Sequence, residues 1–106
     1  MTRDAEALVR LDLNSPVFQR QLFDLPKDLQ VRVLRTLRRV AGMTWSQVYR
    51  DHGLKWEVIY SRAGPHGDKL YSFRIDQGFR AVAHRDEAWL RVLSLHPDHD
   101  SAYEKS

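Results

Sequence analysis

Residues 69–95 read KLYSFRIDQGFRAVAHRDEAWLRVLSL, and the fold follows from how this stretch alternates. Segment 69–75 (KLYSFRI) alternates in strand fashion. Asp76-Gln77-Gly78 supplies a short loop with a glycine for the left-handed residue, and 79–84 (FRAVAH) alternates back. Pairing Ile75 with Phe79 sets Arg74 opposite Arg80, Phe73 opposite Ala81 and Ser72 opposite Val82. Tyr71, Phe73, Ile75, Phe79, Ala81 and Ala83 then form a core face, while Ser72, Arg74, Arg80, Val82 and His84 share the other. Like charges directly opposed on a sheet destabilise it by about 0.2–1 kcal/mol unless a counter-charge lies between them. The pattern therefore predicts an anion between Arg74 and Arg80, against the plainer alternative that each arginine reaches solvent or a nearby Asp or Glu.

Upstream, residues 7–13 (ALVRLDL) read as a short strand, after which Ser15 caps a helix with Pro16 at its first position. Phe18, Leu22 and Leu25 lie on one side of it. Pro26 opens a longer helix in which Leu29, Val33, Leu37 and Val40 recur at helical spacing, and Gly42 ends it. Its other side carries Arg32, Arg35, Arg38 and Arg39, which reads as a solvated face, with an acidic partner or phosphates as the alternative. Thr44 and Gln47 form a capping box for a short helix closed by Gly53, with Trp45, Tyr49 and Leu54 as packing residues. Strands follow at 55–61 (KWEVIYS), at the hairpin and at 89–95 (WLRVLSL). The intervening loop 62–68 (RAGPHGD) should be exposed, and His52 and His66 read as surface residues.

Helices first and strands afterwards, with no helix between the strands, define an α+β domain. Its antiparallel-rich sheet of four to five strands packs the helices on one face. The arginine face should then be left open as a concave basic surface. At 106 residues, the chain is one domain spanning 1–106. A composition of 42% hydrophobic and 29% charged residues excludes a disordered chain. No apolar run is long enough to span a membrane, the charged start MTRDAEALVR lacks a signal-peptide pattern, and cysteine is absent. Together these give a cytoplasmic expectation. The net charge of +3 permits a nucleic-acid or acidic-protein partner.

The ending, residues 96–103 (HPDHDSAY), clusters titratable groups: His96 and His99 three apart, Asp98 and Asp100 between and after them, and Tyr103 able to fold over the sheet edge. Imidazole and carboxylate both coordinate metals, yet the spacing is not diagnostic and no fourth ligand is evident, so no metal and no cofactor is expected. A polar cap with Asp100 starting a helical turn is the alternative to a catalytic tail.

Several of these parts occur together in one known group. The opening strand followed by SPVFQRQLFDLPKDLQVRVLRTL resembles the N-terminal helical hairpin of the RelE/ParE superfamily of bacterial toxins. LYSFRIDQGFRAVAH is similar to its arginine-bearing hairpin, and HPDHDSAY to its C-terminal His-Asp-Tyr ending. The resemblance spans nearly the whole chain, and it is the joint order of these short motifs that carries it. It implies the toxin of a type II toxin–antitoxin pair, neutralised by a cognate antitoxin. In the RelE branch such a toxin acts on the ribosome, cleaving mRNA without a metal and so inhibiting translation. In that chemistry the 2′-hydroxyl attacks the adjacent phosphate with help from a base, phosphate-holding cations and an acid. The resemblance implies that Arg80 is the phosphate stabiliser and that Arg74, Lys69 and His84 contribute to RNA phosphate binding. It also implies His99 or His96 as the proton-transfer group, His99 favoured by its flanking aspartates, and Tyr103 as the residue that orients the nucleotide.

The chain departs from the pattern where RelE-type enzymes carry lysines before the hairpin turn: here stand Tyr71 and Phe73, with Lys69 nearby, and the loop reads one residue longer. A lysine base is therefore missing, which leaves a histidine to act or leaves nuclease activity weak. Two alternatives share the fold: a ParE-like toxin that binds DNA gyrase without catalysis, and a RelE-fold RNA- or protein-binding module without toxicity. The histidine-rich tail and Tyr103 favour the nuclease.

Overall fold

The computed structural model describes residues 7–64 and 67–98. The chain runs β1 (Arg10–Asp12), α1 (Pro16–Asp24), α2 (Lys27–Ala41), α3 (Trp45–Arg50), β2 (Glu57–Ala63), β3 (Lys69–Asp76), β4 (Phe79–Asp86) and β5 (Trp89–His96). The strands form one five-stranded sheet in the order β1-β5-β4-β3-β2. All neighbours are antiparallel except β1, which runs parallel to β5. None of the helices formed by the described residues is long and apolar enough to cross a membrane.

Local chemistry sets the helix ends. The Ser15 hydroxyl accepts the Phe18 amide at 3.3 Å, and Pro16, which lacks an N–H, occupies the first turn where none is needed. Thr44 and Gln47 form the expected capping box, with bonds of 3.2 and 2.8 Å. The end of α3 differs from expectation. Asp51, not Gly53, stops it, because its carboxylate takes the Leu54 amide at 2.8 Å and turns the chain toward β2.

The helices bury Phe18, Val33, Leu37, Val40, Trp45 and Val48 against Phe73, Phe79, Ala81, Ala83, Leu90, Val92 and Leu95 of the sheet. This is the core face that the hairpin alternation predicts. Tyr49 is the exception among the expected packing residues: it is half exposed, its ring tilted toward Trp45 and edge-on to Trp56, and its hydroxyl accepts a bond from Arg85.

The hairpin register places Arg74 opposite Arg80, Phe73 opposite Ala81 and Ser72 opposite Val82, as read from the sequence. Ile75 does not pair with Phe79. Asp76 does, because Gly78 at φ +75° closes a tight turn with Gln77 and leaves Ile75 as an extra, bulged residue. The Ile75 carbonyl is taken by the Thr36 hydroxyl of α2 at 3.3 Å, so the bulge leaves no stranded acceptor. The opposite sheet face is not the bare basic surface expected. Ile59, Leu70 and Val82 form a small buried cluster there, with Leu93 packed against it, and Ser72 is fully buried beside them. Alternation on β2 and β3 already places Ile59 and Leu70 on that side.

Candidate functional site

A second bulge builds the site. Ala83 pairs with Val92 but Val82 pairs with Ser94, so Leu93 is the extra residue of β5. Strict alternation through WLRVLSLH would send His96 to the helix face along with Val92. The additional residue reverses the parity: Leu95 enters the core opposite Ala81, and Ser94 and His96 turn to the arginine face. Helix α1 holds this bulge in place. The Ser15 hydroxyl donates to the Leu93 carbonyl at 3.0 Å, and the Gln21 side-chain oxygen accepts the Leu95 amide at 2.6 Å.

The result is a row across three strands: Arg74 on β3, Arg80 opposite it on β4, and His96 opposite Arg80 on β5. Paired Cα atoms in antiparallel sheets lie about 4.5–5.5 Å apart, so the row spans about 10 Å. Arg80 is only 8% exposed. Its Nη1 donates to the carbonyls of Asp76 at 3.0 Å and Phe79 at 3.3 Å, which pins the guanidinium, while its buried Nε has no hydrogen-bond partner. Among the described residues no carboxylate forms an ion pair with it. A cation held out of water with a donor unmet gains from an incoming anion.

An acid, Asp76, stands at the turn beside Arg74. Its carboxyl is held below the usual range first by the Gln77 backbone N–H, then by Arg32 of α2, which forms an ion pair with it, and last by Arg74. The Asp76 carboxylate is thus already engaged by Arg32 rather than reserved for the arginines of the row. His96 Nε2 lies 2.8 Å from the Ser94 hydroxyl, a contact that fixes the imidazole plane. Ser94 is a site residue that sequence reasoning missed, and only knowledge of the bulge could have revealed it.

His84 lies four residues along β4 from Arg80, on the same face and opposite Arg91, with its buried Nδ1 unpartnered. Lys69 is not brought to the row: it sits exposed at the start of β3, at a position whose parity matches Tyr71 and Phe73. Those two side chains face the helices, Tyr71 stacked on Trp56 at 4.7 Å and Phe73 fully buried, and burial pushes the Tyr71 phenol upward from its ordinary pKa. Neither can serve as a base on the arginine face. His99 and Tyr103 lie outside the described residues, as do Asp100 and His66. Among the described residues no group of His, Asp or Glu is arranged to hold a metal ion. A cavity of about 600 Å³ at the α3–β2 corner, lined by Tyr49, Arg50, His52, Lys55 and Trp56, contains no member of the row.

Three helices on one face of a mostly antiparallel five-stranded sheet, with a basic row on the other face, make up a RelE-like fold. Comparison with solved structures agrees. The chain matches a chain of the archaeal RelE–RelB complex from Pyrococcus horikoshii OT3 with a TM-score of 0.59 and 20% identity, over 86% of this chain and 96% of that one. No family model and no curated protein matches the sequence.

Proposed function

We propose that this protein is the toxin of a type II toxin–antitoxin pair and that it inhibits translation by cleaving mRNA on the ribosome, without a metal. The observation that carries this reading is the row of Arg74, Arg80 and His96, in which a buried guanidinium with an unmet donor stands between a second arginine and an imidazole. Those are the groups that cleavage by the RNA's own 2′-hydroxyl requires. The hydroxyl attacks the adjacent phosphorus, the two guanidiniums hold the charge that builds on the phosphorane oxygens, and the bond to the 5′-oxygen breaks as that oxygen gains a proton. His96, whose imidazole carries both a donor and an acceptor nitrogen, exchanges the protons. His99 is the second candidate for that role and Tyr103 the residue that orients the nucleotide, both on the strength of the family resemblance.

The proposed antitoxin would meet the helices. Phe23 of α1 and Leu34 of α2 are 72% and 53% exposed, next to exposed Arg35 and Arg38, a combination suited to an acidic amphipathic segment. A protein of this kind acts in the cytoplasm.

Pulse labelling after brief induction tests the reading. Arrest of protein synthesis ahead of DNA synthesis is the expected result. Continued protein synthesis with accumulating DNA breaks would assign the protein to the gyrase-binding class, and normal growth with well-folded protein to a non-toxic binding module.

A further inference from the structure

We propose that Trp89 is a base-stacking platform for single-stranded RNA, placed at the far end of the strip of sheet that carries Arg80; the inference rests on the RNA reading above. The register puts the residues of this strip on one face. Along β4 lie Arg80, Val82, His84 and Asp86, opposite His96, Ser94, Arg91 and Trp89 of β5. Six residues separate Arg80 from Asp86, about 20 Å of strand, a length that an extended RNA chain covers in a few nucleotides. Between the two ends stands His84, half-buried, with its Nδ1 itself out of reach of solvent.

Trp89 differs from the other two tryptophans. Trp45 is fully buried and Trp56 stacks within the helix-side aromatic cluster, whereas Trp89 keeps 36% of its surface in solvent on the strip. Two guanidiniums stand at its ring, Arg10 at 5.0 Å and Arg91 at 5.6 Å from the centroid. These contacts hold the indole against the sheet and add planar cations on which a base also stacks. Charge decides what part of a nucleotide this end receives. Arg91 is already paired with Asp12 and Asp86, so two acids balance Arg10 and Arg91 and the surroundings of Trp89 are close to neutral. A phosphate gains little there and a base gains the exposed part of the indole and the guanidinium planes laid against it, while the phosphates gain most at Arg74 and Arg80.

The test is a titration with hexa-adenylate carrying 2′-O-methyl groups, which cannot undergo attack by a 2′-hydroxyl. Binding is read by anisotropy of an end-labelled oligonucleotide and by tryptophan fluorescence. Wild-type protein should bind with quenching. Trp89→Ala should weaken binding about 5- to 150-fold with an unchanged salt slope, and Trp89→Phe, which keeps a ring, should retain most of the affinity. Arg74→Ala should instead reduce the slope of log affinity against log salt by about one. Circular dichroism establishes that each variant is folded, and Trp89→Leu, which removes the ring but keeps apolar bulk and should weaken binding as Trp89→Ala does, serves if Trp89→Ala is not. Wild-type affinity in the alanine variant, or no quenching on binding, overturns the stacking role and leaves the arginine row untouched. Absence of binding by the wild type overturns it as well, whereas the ribonuclease reading stands or falls separately on mRNA cleavage by ribosome-bound protein.

Discussion

Arg80 and His96 face each other across β4 and β5 only because Leu93 is bulged out of β5. The pair joins the most buried cation of the arginine face to the imidazole of the described tail, and the proposed chemistry depends on that pairing.

Replacing the imidazole should separate chemistry from binding. General acid or base catalysis by a placed side chain contributes about 10² to 10⁴ in rate. His96→Gln is expected to reduce cleavage on purified ribosomes by that order while ribosome binding, followed by co-sedimentation, stays near wild type. If His99→Gln produces the loss instead, the proton-transfer role belongs to His99.

Arg80 should show function bought at the expense of stability. Its guanidinium is desolvated, and among the described residues Nη1 meets two carbonyl acceptors, so Arg80→Met, similar in length and uncharged, should abolish cleavage. The same variant should be as stable as the wild type, or more stable by about 1–3 kcal/mol, in urea unfolding. A folded, fully active Arg80→Met protein would remove Arg80 from the site.

The bulge makes a prediction of its own. Ser15 and Gln21 anchor Leu93 and Leu95 from α1, and each lost hydrogen bond costs about 1 kcal/mol. Ser15→Ala also loses the helix cap and should cost about 1–2 kcal/mol. Gln21→Ala should speed hydrogen exchange at the Leu95 amide and lower cleavage without altering the exchange of β3.

Acid should weaken the fold. Asp12, Asp51 and Asp76 are each depressed below the ordinary carboxylate range, in every case most strongly by a backbone N–H: those of Asn14, Leu54 and Gln77. A depressed folded-state pKa gives stability that is present above the unfolded value of about 3.9 and lost as pH falls through the folded value. The urea midpoint should therefore drop below about pH 4. Asp51→Asn should lower the midpoint at neutral pH and converge on the wild type in acid.

The hairpin register, the helix starts at Ser15 and Thr44 and the α+β order were legible because each rests on a local rule: alternation, a capping oxygen, a proline without an N–H. The extra residues Ile75 and Leu93 were not, since a bulge is set by tertiary partners, Thr36 in one case and Ser15 with Gln21 in the other. Arg74, Arg80 and His96 could thus be named separately from the sequence, but their common row could not. Lys69 was misplaced for a simpler reason: nearness in sequence to Arg74 says nothing about parity, and its position belongs to the helix side.

Cleavage of mRNA on the ribosome by the row of Arg74, Arg80 and His96 is read out by primer extension on transcripts taken shortly after induction. Discrete cuts inside translated reading frames, absent when translation is blocked beforehand and absent with Arg80→Met, are the predicted result; intact transcripts in cells that have stopped growing would contradict it.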